Sequence, residues 1–196
     1  MAQEDAKSPS AEGLAAAASS AAKGGKLPPV HLWNPDFCGD LDIRIARDGT
    51  WYYLGSPIGR APLVKLFSSI LKLEAGKYYL VTPVEKVGIT VEDAPLHAVD
   101  FEVSGQGRDQ SLTFTTRTED VVTAGPGHVL RIVQDPASDA PSPYIMVRAG
   151  LEARIDRKSF FRLVDLGCHE THEGDSWFGL WSSGQFFPVI RSSELA

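Results

Sequence analysis

The sequence predicts an α+β protein made of two related antiparallel-sheet units. Each carries a packed helix in the order β-β-α-β-β, and the second has an extra β-hairpin. Three observations lead there. β-prone runs with period-two alternation fill most of the chain. Amphipathic stripes at helical spacing interrupt them. The passage into each stripe reads alike: residues 54–67 are LGSPIGRAPLVKLF and residues 151–164 are LEARIDRKSFFRLV.

The 196 residues suffice for one large domain or two small ones. Residues 1–26 are mostly Ala, Ser, Gly and Lys, with almost no large apolar side chain. Such a segment cannot bury enough surface to offset its ordering entropy, so a disordered tail is expected. The N-terminal unit is expected over 27–92 and the C-terminal unit over 93–196.

Order begins at LPPVHLWNPDF, where two prolines fix an extended entry. In LDIRIARDGTWYYLG, Leu41, Ile43 and Ile45 alternate with Asp42, Arg44 and Ala46. Asp48-Gly49 then precedes an aromatic run, a strong hairpin signal. Leu63, Val64, Leu66, Phe67, Ile70 and Leu71 recur at three- and four-residue spacing, which predicts a helix. Gly76 stands where a left-handed residue would end it. KYYLVTP and VEKVGITVE read as strands separated by Pro83.

The second unit opens with HAVDFEVSG and SLTFTTR, which alternate with period two, followed by HVLRIVQ. DPASDAPSP reads as a loop. YIMVRAGLEARI predicts a hairpin at Ala149-Gly150, DRKSFFRLVDLG a helix closed by Gly167, and WFGLWSS and QFFPVI the closing strands.

Aligning the two passages pairs Leu54 with Leu151, Ile58 with Ile155, Arg60 with Arg157 and Leu66 with Leu163. Gly59 and Asp156 coincide before the helices, and both are favoured N-caps. Helical periodicity explains the apolar matches. It does not explain the paired arginines, the paired caps and the matched flanking hairpins, which suggest an internal duplication. The crevice between two such units is the default place for a ligand.

The blocks NPDFCGDLDIRIARDGTWYYLGSPIGRAPLVKLFSSIL, YYLVTPVEKVGITVEDAP, PYIMVRAGLEARIDRKSFFRLVDLG and WFGLWSSGQFFPV resemble the bacterial family known as domain of unknown function 1285. The resemblance spans nearly all of residues 28–190. It implies a two-domain α+β fold with repeated motifs and a role in signal transduction. It implies no reaction and no catalytic residues. The Ala-rich tail and CHETHEGD look peculiar to this chain.

The candidate site is the loop GSPIGR, expected to lie between the two units, which leads into a helix N-terminus. Such ends favour anions through free N–H groups and the helix dipole. Gly55 and Gly59 would let a ligand approach the backbone, Ser56 could donate a hydrogen bond, and Arg60 supplies charge. The alternative is that the glycines only satisfy turn geometry. At the second helix Asp156 would occupy the same place with its own carboxylate. Arg148, a charge in an apolar strand, and Arg157 are weaker ligand candidates; buried charges are usually paired or functional.

Asp40, Asp42 and Arg44 share a strand face by alternation. With Glu85 or Glu92 the carboxylates could serve acid/base work or hold a metal. Cys168, His169, His172 and Glu173 offer zinc-type donors in a polar loop, but no second cluster completes a four-ligand set. No cofactor is expected and no metal site is assigned. Dense aromatics in WYY, KYYL and WFGLW fill cores or, if exposed, dock a partner.

A net charge of −6 argues against general nucleic-acid binding, which needs a basic face. No apolar run reaches membrane-spanning length. Two cysteines and no signal-like leader predict a cytoplasmic protein with free thiols. The reading is thus a cytosolic regulatory or ligand-binding protein that takes a small anion or a protein partner. The alternatives are a metal-dependent hydrolase using Asp40, Asp42 and Glu85, and a protein-interaction module.

Overall fold

The structure is a computed structural model that describes residues 9–22, 27–134 and 140–195. It forms two compact units, residues 1–95 and 96–196. The division falls three residues later than the 92/93 boundary expected from sequence.

The first unit contains α1 (Ala11–Ala21), β1 (Phe37–Ile45), β2 (Trp51–Tyr53), β3 (Ser56–Pro57), α2 (Ala61–Ser69), β4 (Leu71–Glu74), β5 (Lys77–Val81) and β6 (Lys86–Val91). Its sheet runs β3-β2-β1-β6-β5-β4. Alternation in β1 turns Ile43 and Ile45 into the core, where Trp51, Phe67, Ile70, Leu80 and Val87 join them. The Trp51 and Phe67 rings stack at 6.3 Å and fix α2 against β2. The Asp48-Gly49 turn forms as expected, with Gly49 at φ 82° and the Thr50 N–H donating to Asp48 Oδ1 at 2.9 Å.

The second unit contains β7 (Leu96–Ser104), β8 (Ser111–Thr116), β9 (Val121–Thr123), β10 (Leu130–Gln134), β11 (Pro141–Arg148), β12 (Leu151–Ile155), α3 (Arg157–Val164), β13 (Cys168–His172), β14 (Asp175–Ser182) and β15 (Gln185–Arg191). Six strands form a sheet in the order β10-β11-β12-β7-β8-β9, and the last three form a separate sheet. Phe101, Leu112, Phe114, Ile145, Ile155 and Leu163 build the core. The small sheet is tied to the large one through Ser182. Its Oγ accepts from the Leu112 N–H at 2.9 Å and donates to the Ala124 carbonyl at 2.8 Å.

The α+β class and the two units, each with a sheet and a helix, are as the sequence predicts. Several details differ. Neither six-stranded sheet is purely antiparallel, because β1 pairs with β6 and β12 with β7 in parallel. Each sheet is therefore two three-stranded meanders joined by a central parallel pair. The two helices enter this scheme at different points: α2 follows an edge strand, whereas α3 follows a central one. The alike passages at 54–67 and 151–164 thus occupy non-equivalent strands. Local periodicity repeats where strand pairing does not.

Residues 11–21, expected to be disordered, form α1. Ser10 caps it by accepting from the Gly13 N–H at 3.1 Å. Leu14, at 1% exposure, with Ala11 and Ala18, buries one stripe, and α1 packs on α2. Alanine supplies helix propensity, and the neighbouring helix supplies the burial that composition alone could not foresee. The remainder of the expected tail, 1–8 and 23–26, lies outside the described residues, as do 135–139 of the expected DPASDAPSP loop. Pro141–Pro143 of that loop belong to β11.

Gly76 does not end α2. With Ala75 it makes the two-residue turn between β4 and β5, at φ 49° and 76°. The predicted helix was too long because Leu71 and Leu73 also suit a short strand. Gly167 has no left-handed φ. A Cβ there would lie 2.1 Å from the Phe178 ring, so ring packing selects the glycine. CHETH, expected in a loop, is the edge strand β13. No helix among the described residues is long and apolar enough to cross a membrane.

Candidate functional site

GSPIGR is more ordered than a free loop. Leu54 (φ 49°) and Gly55 (φ 76°) form a two-residue hairpin turn, and Tyr53 pairs with Ser56. Turn geometry therefore requires Gly55. Gly59 differs: its φ is ordinary, and a Cβ there would meet nothing within 4 Å. Neither strain nor packing explains it.

The N-cap of α2 is Arg60, one residue later than Gly59, and no side chain caps the helix. Few amides are free there. Pro62 has no N–H, and the Leu63 and Val64 N–H groups both donate to the Arg60 carbonyl, at 3.0 and 3.2 Å. Positive character at this end therefore rests mainly on the exposed Arg60 guanidinium. At α3 the contrast expected from sequence is present: Asp156 Oδ1 accepts from the Ser159 N–H at 2.7 Å.

A cleft of about 270 Å³ opens beside this helix end. Ser56, Pro57, Ile58, Gly59 and Arg60 form one wall, Tyr53, Leu63 and Phe67 the floor, and Ala11, Glu12 and Ala15 of α1 the opposite wall. Three of the four first-unit candidates, Ser56, Gly59 and Arg60, thus face one cavity; Gly55 supplies its turn. The α1 wall was missed because alanines carry no chemistry. The available signal was Ser10 followed by an unbroken helix-forming run.

The second-unit candidates do not join this cleft's lining. Arg148 is ion-paired with Asp120, whose other oxygen accepts from Thr116 Oγ1 at 3.0 Å and Thr118 Oγ1 at 2.9 Å. It is a structural charge pair on the β8–β9 turn. Arg157 lies at the exposed start of α3, its guanidinium 5.4 Å from the Phe161 ring centre.

The carboxylates proposed for a hydrolase do not converge. Among the described residues no three His, Cys, Asp or Glu gather to hold a metal. A bulge at Gly39 (φ 101°) and register shifts along β1 break the alternation that would align Asp40 with Asp42. Glu92 is taken by Arg44 and by the Arg47 N–H at 2.9 Å, and these two contacts lower its pKa, the Arg47 amide most. Glu85 sits in the Thr82–Glu85 turn, where burial raises its pKa. His169 Nδ1 contacts Ser192 Oγ at 2.8 Å, and burial, with Glu170 adding to it, raises the Cys168 thiol pKa.

Family models match both units: the description "Domain of unknown function (DUF1285), N-terminal domain" over residues 28–94, and "Protein of unknown function (DUF1285), C-terminal domain" over 95–189. The chain is similar to the crystal structure of a DUF1285 family protein from Silicibacter pomeroyi DSS-3. Identity is 62% and the TM-score 0.84, over 93% of this chain and 97% of that one. It is also similar to a DUF1285 family protein from Shewanella baltica OS155, at 32% identity and a TM-score of 0.50, over 64% of this chain and 91% of that one. No curated protein matches.

Proposed function

The chain belongs to the DUF1285 family, and for this member we propose a regulatory, ligand-binding role in which the cleft beside Arg60 receives a small organic acid. The supporting observation is the lining: one arginine without an ion-pair partner among the described residues, at an uncapped helix start, over an apolar floor. An acid group would meet Arg60 and Ser56. An apolar body would cover Ile58 and Leu63. Most pockets that orient small molecules combine such a floor with a few polar groups. Glu12 on the facing wall disfavours a ligand of high negative charge and favours a monoanion. Gly59 leaves room for the ligand against the backbone.

Because α1 supplies one wall, ligand occupancy and α1 docking are coupled, which suits a signalling role. Free Cys38 and Cys168 support a cytosolic setting, and the acidic net charge supports a small-molecule partner over nucleic acid. The test is a thermal-shift comparison of benzoate, phenyl phosphate and inorganic phosphate on the full chain and on Arg60→Ala. A ligand that prefers the folded state raises its melting temperature. Benzoate should stabilise the parent and not the variant. Equal stabilisation of both, or none of either by any probe, overturns the reading.

A further inference from the structure

The outer face of the first sheet carries a second groove, independent of the Arg60 cleft. It has a volume of about 680 Å³, with Phe37, Asp40, Lys77, Tyr79, Lys86 and Gly88 among its lining residues. Tyr79, Gly88 and Asp40 stand side by side on β5, β6 and β1. Gly88 is buried in mid-strand, where glycine usually marks a close approach. Asp40 makes that approach: a Cβ on Gly88 would lie 2.0 Å from Asp40 Oδ1 and 3.7 Å from Phe37 Cε2. The sheet therefore gives up a side chain so that a carboxylate can lie over the backbone beside an aromatic ring.

That carboxylate has no hydrogen-bond or ion-pair partner among the described residues. Neither lysine of the lining pairs with it: Lys77 is exposed at the start of β5, and Lys86 pairs with Glu74 at 2.9 Å. Lys86 also lies 5.2 Å from the Tyr79 ring centre, and Phe37 meets Tyr79 edge-on at 6.1 Å. The face thus already holds one ammonium on an aromatic ring and leaves an uncompensated carboxylate next to a second, exposed ring. Carboxylate and ring face together recognise organic cations, because both attract positive charge and the ring tolerates a poorly hydrated one.

We propose that this groove is a binding site for a small organic cation, an alkylated or primary ammonium, with its charge on Asp40 and its carbon groups on Phe37. The test is an amide NMR titration of the full chain with benzyltrimethylammonium chloride, against sodium chloride at matched ionic strength. Saturable shifts are expected at Phe37, Asp40, Gly88 and Thr90. Asp40→Asn should weaken binding about tenfold or more, as loss of a charge-assisted contact implies. Phe37→Leu should weaken it several-fold, and Arg60→Ala should leave it unchanged. Both altered side chains are exposed, so either variant serves if the other misfolds. Shifts that sodium chloride reproduces, or binding that survives both substitutions, overturn the proposal.

Discussion

Asp156 Oδ1 accepts a hydrogen bond from the Ser159 amide at 2.7 Å, so α3 begins with its own anion in place. The start of α2 has Arg60 at the cap and no side-chain acceptor. Asp156→Ala should therefore cost about 1 kcal/mol of unfolding free energy, the usual worth of an N-cap. Arg60→Asp should add about as much stability by supplying the missing cap. The same substitution should abolish benzoate binding. Denaturant melts of both variants, with ligand titration of the second, check the pair.

Arg148 is a structural residue in this account. Arg148→Met removes the cation facing Asp120 and leaves that carboxylate, only 11% exposed, held by threonine hydroxyls alone. A loss of about 2–3 kcal/mol is expected for breaking a largely buried pair. Benzoate affinity should not change. A melt and a titration on one sample separate the two effects.

Gly179 stands where a side chain would strike fixed atoms: a Cβ would be 2.4 Å from the Phe187 carbonyl oxygen and 2.5 Å from the Phe186 ring. Backbone cannot yield cheaply, so Gly179→Ala should destabilise by about 3 kcal/mol. Gly59→Ala, with open space at that point, should change stability by less than about 0.5 kcal/mol while obstructing the ligand. Urea midpoints give both values.

Two glutamates should shape the acid limb of stability in opposite senses. Glu92 is held below the usual carboxylate range, first by the Arg47 amide and then by Arg44. Its contribution is present above that range and is lost as pH falls below about 5. Glu85 is raised by burial, so its contribution is present at low pH and is lost as pH rises through its elevated pKa. Glu85→Gln should then be more stable than the parent at pH 7, with the gap closing below about pH 4. Glu92→Gln should be less stable at pH 7 and converge with the parent in acid. Melting temperatures from pH 3 to about pH 8 test both signs.

Leu14 is the single large side chain that anchors α1, at 1% exposure. An isolated alanine-rich helix of this length is marginal in water. Leu14→Asp should release amide protection across residues 14–21 while the β1–β6 core keeps its own, and should weaken benzoate binding by removing a wall. Hydrogen exchange resolved by residue reads this directly.

The class and the alternating strands were legible because alternation and Asp-Gly chemistry act locally: Ile43, Ile45 and the Gly49 turn needed no tertiary information, whereas the short strand β4 also fitted the helical stripe and the polar edge strand β13 carried no such pattern. The parallel pairs β1–β6 and β7–β12 were not, since nothing in either strand names a partner distant in sequence. Gly76 and Gly167 misled because one glycine can serve a turn, a cap or a crowded ring, and only the neighbours decide. Of the candidate site, Arg60 and Ser56 could be read from a loop before a helix. The α1 wall could not, because Ala11 and Ala15 matter through where they dock.

The most direct measurement is an amide NMR titration with benzoate that follows Ala61, Leu63 and the α1 amides from Glu12 to Ala15. Saturable shifts on both walls together are expected, lost in Arg60→Ala. Shifts absent from these residues, or unchanged in that variant, would contradict the proposed site.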